Sequence, residues 1–274
     1  MVGKSQYRGR LMGWRELAAA WRQACYVWKA IFLREALVRL FGSRSAWVWM
    51  VLEPVVHVLW LIVIFSAVRV QHIGGIDSAL WLTLGMLVFM TFKRTLVQVQ
   101  NAVEANSALF TYRQVKPADV ALVRAVFEGA CMVVIAAVML FIGGLAGWLS
   151  WPGHFLGVVQ GAVLAWLCAM GLGMVLGVLT KLMPETGRIV NFLLMPLMMI
   201  SGVMFPLSMV GPPYLDWLLL NPLAHAIELA RLGFAPYYHS VAGVSLHYLS
   251  GCALVSVFLG MAMFRRFQTR LVMQ

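Results

Sequence analysis

Long apolar runs separated by short polar connections set the pattern of this chain. A helix that crosses a membrane needs about 20 mostly apolar residues. Stretches of that kind cover residues 46–68, 80–99, 120–145, 155–179, 189–207 and 241–264. The pattern therefore predicts an all-α, polytopic membrane protein with six transmembrane helices, in which a region over residues 1–45 precedes a transmembrane domain over residues 46–274.

The segment 211–240, between the fifth and sixth predicted spans, is apolar but interrupted. Prolines and charged residues break it at Pro212, Pro213, Asp216, Pro222, Glu228, Arg231 and Pro236. Proline has no backbone N–H and therefore ends or kinks a helix. Irregular backbone occurs at membrane depth only where protein or water covers it. We therefore expect two short re-entrant helices at the outer face.

Residues 14–40 have a helical pattern with one stripe of tryptophan residues and one stripe of basic residues. Tryptophan and basic residues each recur at a seven-residue spacing, at Trp14, Trp21 and Trp28 and at Arg15, Arg22 and Lys29. Such a pattern is typical of an amphipathic helix that lies on a membrane surface, anchored by its rings and attracted to anionic lipid. We expect an interface helix on the inner leaflet. The alternative is a helix that packs beneath the protein without contact with membrane lipids.

Composition and charge support membrane insertion and give an orientation. The chain has 274 residues, of which 62% are hydrophobic and 11% charged, against roughly 25% charged in a soluble domain. Its net charge of +11 would also suit nucleic acid, but the apolar content favours a role in topology, and we expect no nucleic-acid partner. Most Lys and Arg residues flank the connections that would be cytoplasmic. Both termini are therefore predicted in the cytoplasm.

Ionisable residues inside the predicted spans are functional candidates. Glu53 and His57 follow each other at i, i+4 in the first span, beside Pro54, and would lie on one face within hydrogen-bonding reach. They would either satisfy polar groups in a helix bundle, act on substrate or gating, or relay protons. Lys93 and Arg94 would lie roughly 20 Å below the outer boundary of the second span. They would either extend to the inner headgroups or face a cavity and attract an acidic substrate.

The connection between the second and third spans reads as a short capped helix over residues 106–117. Asn106 and Ser107 suit a helix start, and Pro117 ends the segment. The residues that would contact a cytoplasmic partner are two aromatic and two basic ones, namely Phe110, Tyr112, Arg113 and Lys116. The alternative is an ordinary capped loop.

Small residues recur every four positions along the fourth span, at Gly157, Gly161, Ala165, Ala169, Gly173 and Gly177. Such a stripe lets another backbone approach closely. The contact would lie within one subunit or between two.

Several chemical signatures are absent from the sequence. There is no GxxxxGK[ST] phosphate loop, so ATP energy would have to come from a partner, with ATP and Mg held there and no cofactor on this chain. The HExxH and GxSxG motifs and close cysteine pairs are also absent, which disfavours an enzyme. Cys25, Cys131, Cys168 and Cys252 lie apart within apolar runs and are interpreted as small apolar residues.

Two segments carry a family resemblance. FLREALVRLFGSRSAWVWMVLEPVVH, residues 32–57, resembles the segment of polysaccharide-exporting ABC permeases in which an interface helix leads into a tryptophan-rich first span with a Glu-Pro pair. NPLAHAIELAR, residues 221–231, resembles the segment after their fifth span. The likeness extends over nearly the whole chain and is greatest to the Kps-type capsular exporters. O-antigen and teichoic-acid export permeases are the related alternatives.

The resemblance implies a homodimer that encloses a polymer channel and binds two separate ATPase subunits. Residues 106–117 would form the coupling helix and the helix of residues 14–40 would sense ATPase movement. The substrate would be a lipid-linked capsular polysaccharide, passed on to a periplasmic adaptor and an outer-membrane channel. Aromatic rings stack on sugars. The channel would be lined by Lys93, Arg94, Glu53 and His57, together with five aromatic residues of the first two spans: Trp47, Trp49, Trp60, Trp81 and Phe92.

Two other classes share this topology. A membrane-embedded enzyme acting on a lipid-linked sugar would need acid and base groups converging on a cavity. The residues available to it are Glu53, His57, Asp216, His225 and Glu228. A small-molecule channel or drug-efflux permease is the third class.

Overall fold

A computed structural model gives the fold of residues 14–42, 46–67, 72–111, 114–145, 147 and 152–272, with the side chains from Trp21 onward except those of Ala24, Ala46 and Val272. Ten α-helices and one hairpin make up this described part of the chain. In order they are α1 (Trp14–Phe41), α2 (Ala46–Ala67), β1 (His72–Ile73), β2 (Ile76–Asp77), α3 (Ser78–Gln100), α4 (Ala102–Ala105), α5 (Pro117–Leu145), α6 (Phe155–Leu182), α7 (Glu185–Ile200), α8 (Tyr214–Leu218), α9 (Pro222–Phe234) and α10 (Leu246–Val272). Short 3-10 helices cover Ser107–Thr111 and Leu207–Met209. The prediction of a mainly helical protein is confirmed.

Five of the described helices are long and apolar enough to cross a membrane: α2, α3, α5, α6 and α10. They match the first four and the last of the predicted spans. The fifth predicted span, residues 189–207, differs. Its helix, α7, begins earlier, at Glu185, and ends at Ile200 after 16 residues. Gly202 then adopts a positive φ of 75°, which ends the helix, and the 3-10 helix follows. The count of six spans therefore stays a prediction.

Helix α3 forms the centre of the protein. In its most apolar stretch 78% of the residues are buried, whereas in α2 only 17% are. The core around α3 includes side chains from α2, α5, α6 and α9. Because α3 is enclosed by other helices, Thr95 and Gln100 near its end are buried within the protein.

The small-residue stripe on α6 packs against helices of the same chain. A Cβ added at Gly161 would lie 2.7 Å from the backbone oxygen of Ala226 on α9, and one at Gly177 would lie 3.0 Å from the backbone oxygen of Gln100 on α3. The interpretation as a contact within one subunit is therefore confirmed. A second close approach lies elsewhere on α6, where Gly171 and Gly260 bring α6 and α10 together.

The hairpin of β1 and β2 fixes the start of α3. Gly74 and Gly75 occupy its turn at positive φ, and the side chain of Asp77 accepts a hydrogen bond from the backbone N–H of Ala79 at the helix start. The backbone N–H of His239 donates to the oxygen of Gly74. The loop after α9 and the hairpin therefore lie together at one end of α3, and residues 102–111 and 114–116 lie at the other.

Candidate functional site

The first candidate site is a set of ion pairs that joins α1, α2, α3 and α5. We call it the four-helix charge network, and its members are Glu35, Arg39, Glu53, Lys93, Arg94, Arg124 and Glu128. Most of it is buried within the bundle. Charges removed from water are kept only when they are paired and hydrogen-bonded, and here each member has an oppositely charged partner.

The pairs between α1 and α5 form the buried end of the network. Glu35 on α1 lies 2.6 Å from Arg39 Nε and 2.8 Å from Arg124 Nε. Arg39 also pairs with Glu128, whose side chain is fully buried, and donates to Gln98 on α3. The amphipathic helix is thus held to the bundle by ion pairs as well as by apolar contacts.

Arg94 links α3 to α2 and α5, and its contact with α2 follows from a proline in that helix. Pro54 has no N–H, so within α2 the backbone oxygen of Met50, four residues earlier, loses its helical donor. Arg94 Nη1 donates to that oxygen at 2.7 Å, while Arg94 Nε lies 3.3 Å from Glu128. Arg94 is therefore engaged inside the protein, which decides against the alternative that it extends to the headgroups.

Glu53 and His57 are brought together differently from the prediction. The ring Nδ1–H of His57 donates to the backbone oxygen of Glu53 at 2.8 Å, and not to its carboxylate. The carboxylate lies 3.8 Å from Lys93 Nζ and 4.0 Å from Arg94 Nη1. The predicted pair is thus replaced by a contact between Glu53 and the two basic residues of α3.

A cavity of about 450 Å³ lies between α2, α3 and α7 beside this contact. Three of the residues predicted for a channel line it, namely His57, Trp60 and Lys93. Its wall is otherwise mainly apolar, with the methionines Met86, Met90, Met195, Met198 and Met204. Methionine side chains are flexible and adapt to irregular apolar ligands. The cavity therefore presents one cation on an apolar and adaptable surface.

The other predicted channel residues divide by exposure. Trp47 and Trp49 on α2 are exposed, at 53% and 65%. Trp81 is fully buried and Phe92 nearly so, because both lie on α3 within the core. A side chain without exposed surface cannot contact a substrate in this conformation. We therefore remove Trp81 and Phe92 from the proposed channel surface.

The predicted coupling segment is a short 3-10 helix, Ser107–Thr111, after the four-residue helix α4. Asn106 does not cap it with its side chain. That side chain is buried, donates to the backbone oxygen of Ala102 and accepts from Arg34 of α1 at 2.7 Å. Phe110 packs against the core beneath the segment and is only half-exposed, while Ser107 and Lys116 are exposed. Tyr112 and Arg113 lie outside the described residues.

The predicted interface helix is one continuous helix, α1, with an exposed aromatic face. Trp21 is 71% exposed, Arg22 and Lys29 are exposed, and the indole N–H of Trp28 donates to Asp119 at the start of α5. The side chains of Trp14 and Arg15 lie outside those that the structure describes. Since α1 bonds to Asn106 and Asp119, it is tied to both ends of the coupling segment.

A second buried polar cluster lies at the opposite end of α3. Glu228 and Arg231 of α9 form a fully buried ion pair at 2.9 Å, and the guanidinium of Arg231 stacks on Trp81 at 3.6 Å from the ring centre. Arg231 also donates to the backbone oxygen of Trp81, and Tyr238 donates to Glu228. Burial raises the pKa of Tyr238, so its hydroxyl keeps the proton that it donates. The sequence showed Glu228 and Arg231 at i, i+3 but not the stacking partner.

The candidate acid and base residues of a membrane-embedded enzyme do not converge on one cavity. Both ring nitrogens of His225 are occupied by backbone groups, since Nε2–H donates to the oxygen of Leu219 and Nδ1 accepts from the N–H of Ser245. Glu228 is held by Arg231, while Glu53 and His57 lie at the other polar site. Among the described residues, no group of three or more His, Cys, Asp or Glu side chains is placed to hold a metal ion.

Comparison with known proteins agrees with this architecture. The model of the family described as ABC-2 type transporter matches residues 26–235. The chain belongs to the ABC-2 type transporter family. This family is one of transporter membrane subunits, and the matched residues include the four-helix charge network and the pair of Glu228 and Arg231. A transporter subunit is therefore the class of this protein, and the enzyme alternative is set aside.

Two of the similar proteins are named for the transport or export of a polysaccharide. The chain is 36% identical to "Polysialic acid transport protein KpsM" of Escherichia coli over 237 residues, which cover 86% of this chain and 92% of the relative. It is 24% identical to "Capsule polysaccharide export inner-membrane protein CtrC" of Neisseria meningitidis serogroup A, over 87% of this chain and 89% of the relative. It is also 25% identical to "Nodulation protein J" of Sinorhizobium fredii, over 90% of this chain and 92% of the relative. The resemblance seen in the two sequence segments is confirmed.

Proposed function

We propose that the chain is the transmembrane permease subunit of an ATP-driven exporter that moves a lipid-linked, acidic capsular polysaccharide across the bacterial inner membrane. One observation carries the substrate class: the likeness to proteins named for polysialic acid transport and capsule polysaccharide export extends over nearly their whole length. Polysialic acid is a polyanion, which fits a site built around basic residues.

The cavity between α2, α3 and α7 supports an acidic, lipid-linked substrate. Lys93 supplies a cation on a wall of methionine, His57 and Trp60. A charge inside a membrane protein is costly and therefore faces a partner or a ligand. The apolar wall suits a lipid chain and Lys93 suits the anionic group beside it.

The proposed assembly is a homodimer with two ATPase subunits, which hold ATP and Mg. The exposed apolar faces of α2 and α7 would meet between the subunits and enclose the polymer channel, with Trp47, Trp49 and Trp60 near its wall. Helix α7 with the turn after it would complete six spans, and α8 and α9 would form the re-entrant outer helices. Both termini would be cytoplasmic, α1 would lie against membrane lipids, and a periplasmic adaptor and an outer-membrane channel would receive the polymer.

Coupling to ATP hydrolysis would run through the 3-10 helix Ser107–Thr111 and through α1. Closure of the ATPase subunits would push on both, because Arg34 and Trp28 bond α1 to the two ends of the coupling segment. The push would reach the cavity through the helices that α1 contacts. Substrate would then pass through the dimer channel.

Replacement of Ala108 with tryptophan tests the docking surface. Ala108 is exposed on the 3-10 helix, so a large side chain there blocks a partner without entering the core. We expect the affinity for the ATPase subunit to fall by about tenfold or more, the effect of losing one good interface contact. Co-purification and binding isotherms in lipid nanodiscs measure it.

The matched control is Ala242→Trp. Ala242 is an exposed alanine in the loop at the opposite end of α3, where no ATPase would bind. It should leave the affinity unchanged. An equal loss of affinity in both variants, or no loss in either, contradicts the assigned surface. If the unaltered chain binds no ATPase, the proposal of an exporter is itself contradicted.

A further inference from the structure

The four-helix charge network is partly exposed where it meets the cavity and buried at its other end. At the cavity, Glu53 is 42% exposed and lies at the limit of ion-pair distance from both Lys93 and Arg94, at 3.8 Å and 4.0 Å. At the other end, Glu128 is fully buried and contacts both Arg94 and Arg39. A ligand in the cavity can therefore compete for the first set of contacts directly, whereas it can reach the second set only through Arg94.

The charges of the network are not balanced. Its cations are Lys93, Arg94, Arg39 and Arg124, and its carboxylates are Glu35, Glu53 and Glu128. These ion pairs thus contain one more positive charge than negative. Where water is scarce an uncompensated charge is unfavourable, and an added anion would remove it. Lys93 is the cation that opens on the cavity, so the added anion would lie there.

We propose that Glu53 is an exchangeable counter-ion, which a phosphate or carboxylate of the lipid-linked substrate displaces from Lys93, and that this exchange signals an occupied cavity to α1. The proposal rests on the proposed function and adds regulation to its site. Glu53, rather than the ring of His57, is the group that exchanges, because its carboxylate contacts Lys93, whereas the ring donates to a backbone oxygen within α2.

The signal follows from the contacts of Arg94. Once the substrate anion neutralises Lys93, the carboxylate of Glu53 has Arg94 as its remaining cation. Arg94 already divides its guanidinium between Glu128 and the backbone oxygen of Met50. A stronger pull from Glu53 draws Arg94 away from Glu128, and Glu128 is left to Arg39 of α1.

Helix α1 is placed to carry the change onward. Arg39 lies near its end, while Arg34 and Trp28, one and three turns earlier, bond to Asn106 and Asp119 at the two ends of the coupling segment. A change in the contact between Arg39 and Glu128 therefore alters the helix that holds the coupling segment. An ATPase docked there would respond to an occupied cavity.

The first test measures amide hydrogen exchange in α1 of the purified full chain, without an ATPase. The chain is placed in phosphatidylcholine nanodiscs, with dihexadecyl phosphate in the membrane as the probe. We expect the probe to change exchange over residues 30–41 by about fivefold or more, the lower range of coupling between two sites. Glu53→Gln should lose the response to the probe, because no carboxylate is left to draw on Arg94. Lys93→Gln should show the changed exchange without the probe and no further response, because Glu53 then has Arg94 as its remaining cation.

The matched control is Glu185→Gln, which removes a carboxylate from an exposed arginine pair outside the network, that of Glu185 and Arg188. It should respond to the probe like the unaltered chain. A Glu53→Gln variant that also responds like the unaltered chain overturns the proposal, as does an unaltered chain that shows no response. Inorganic phosphate in solution should have no effect. An equal effect of inorganic phosphate would assign the site to a free anion and overturn the role of the lipid-linked group.

The second test adds the ATPase partner and measures ATP hydrolysis. Dihexadecyl phosphate should stimulate the unaltered complex. Lys93→Gln should hydrolyse ATP at the stimulated rate without the probe, and Glu53→Gln should lose the stimulation. A Glu53→Gln complex that keeps both the basal rate and the stimulation overturns the signal to α1. If the chain binds no ATPase but still shows the Glu53-dependent exchange in α1, the anion site is supported and only the proposed function is contradicted.

Discussion

Replacement of Arg231 with methionine is expected to lower the free energy of unfolding by about 3–5 kcal/mol, the usual cost of removing one partner from a buried ion pair. Methionine preserves much of the volume, so the loss reports the charge and not a cavity. Glu228 would be left fully buried with a hydroxyl donor, Tyr238, but without a cation, and Trp81 would lose the guanidinium on its ring. The measurement is the midpoint of heat-induced loss of monodisperse protein in detergent.

Two further variants separate the buried pair from a general effect of losing arginine. Arg188→Met removes the arginine of an exposed pair and should cost less than about 1 kcal/mol. Glu228→Gln combined with Arg231→Met leaves no charge in this buried cluster and should recover at least half of the lost free energy of unfolding. If Arg188→Met and Arg231→Met lower the midpoint equally, the buried cluster is not a stabilising element.

Replacement of Gly171 with alanine should be almost as harmful, although only a methyl group is added. The new Cβ would lie 2.3 Å from the backbone carbon of Ser256 and 2.4 Å from the backbone nitrogen of Val257, both on α10. Backbone atoms cannot rotate away as a side chain can, so α6 and α10 must separate. We expect a loss of about 2–3 kcal/mol, measured as the same thermal midpoint.

Gly251→Ala is the matched control for that variant. It makes the same change within α10, but nothing lies within 4 Å of the new Cβ. Alanine there should be neutral or should gain up to about 1 kcal/mol, because it loses less backbone entropy than glycine in a helix. A Gly171→Ala protein as stable as Gly251→Ala would show that the two helices are not in close contact.

Apolar run length was enough to locate most of the helices. Five of the predicted stretches became helices of spanning length, because about 20 apolar residues in lipid have few alternatives to a helix. The fifth stretch failed to give such a helix, since apolar residues continue to Leu207 but the helix ends at Ile200. A positive φ at Gly202 ended it, and hydrophobicity does not report backbone conformation.

The polar sites were less predictable because they depend on contacts between helices. Spacing within α2 correctly placed Glu53 and His57 on neighbouring turns, but it could not show that Lys93, 40 positions later, would take the carboxylate. The interior position of Trp81 likewise depends on α9, which supplies the stacked Arg231. The link between Arg94 and the oxygen of Met50 had a sequence signal, since Pro54 always frees that oxygen, but nothing in the sequence identified the donor.

The early end of α7 also bears on the membrane around it. Sixteen helical residues extend about 24 Å, whereas the hydrocarbon layer is about 30 Å thick. Phe192 and Met195 on this helix are exposed and would meet lipid or the second subunit. Where a short helix meets lipid, the bilayer thins to match it. A polar headgroup crossing beside α7 would therefore travel a shorter apolar path than beside a helix of full spanning length, and the lipid itself would lower the barrier to export.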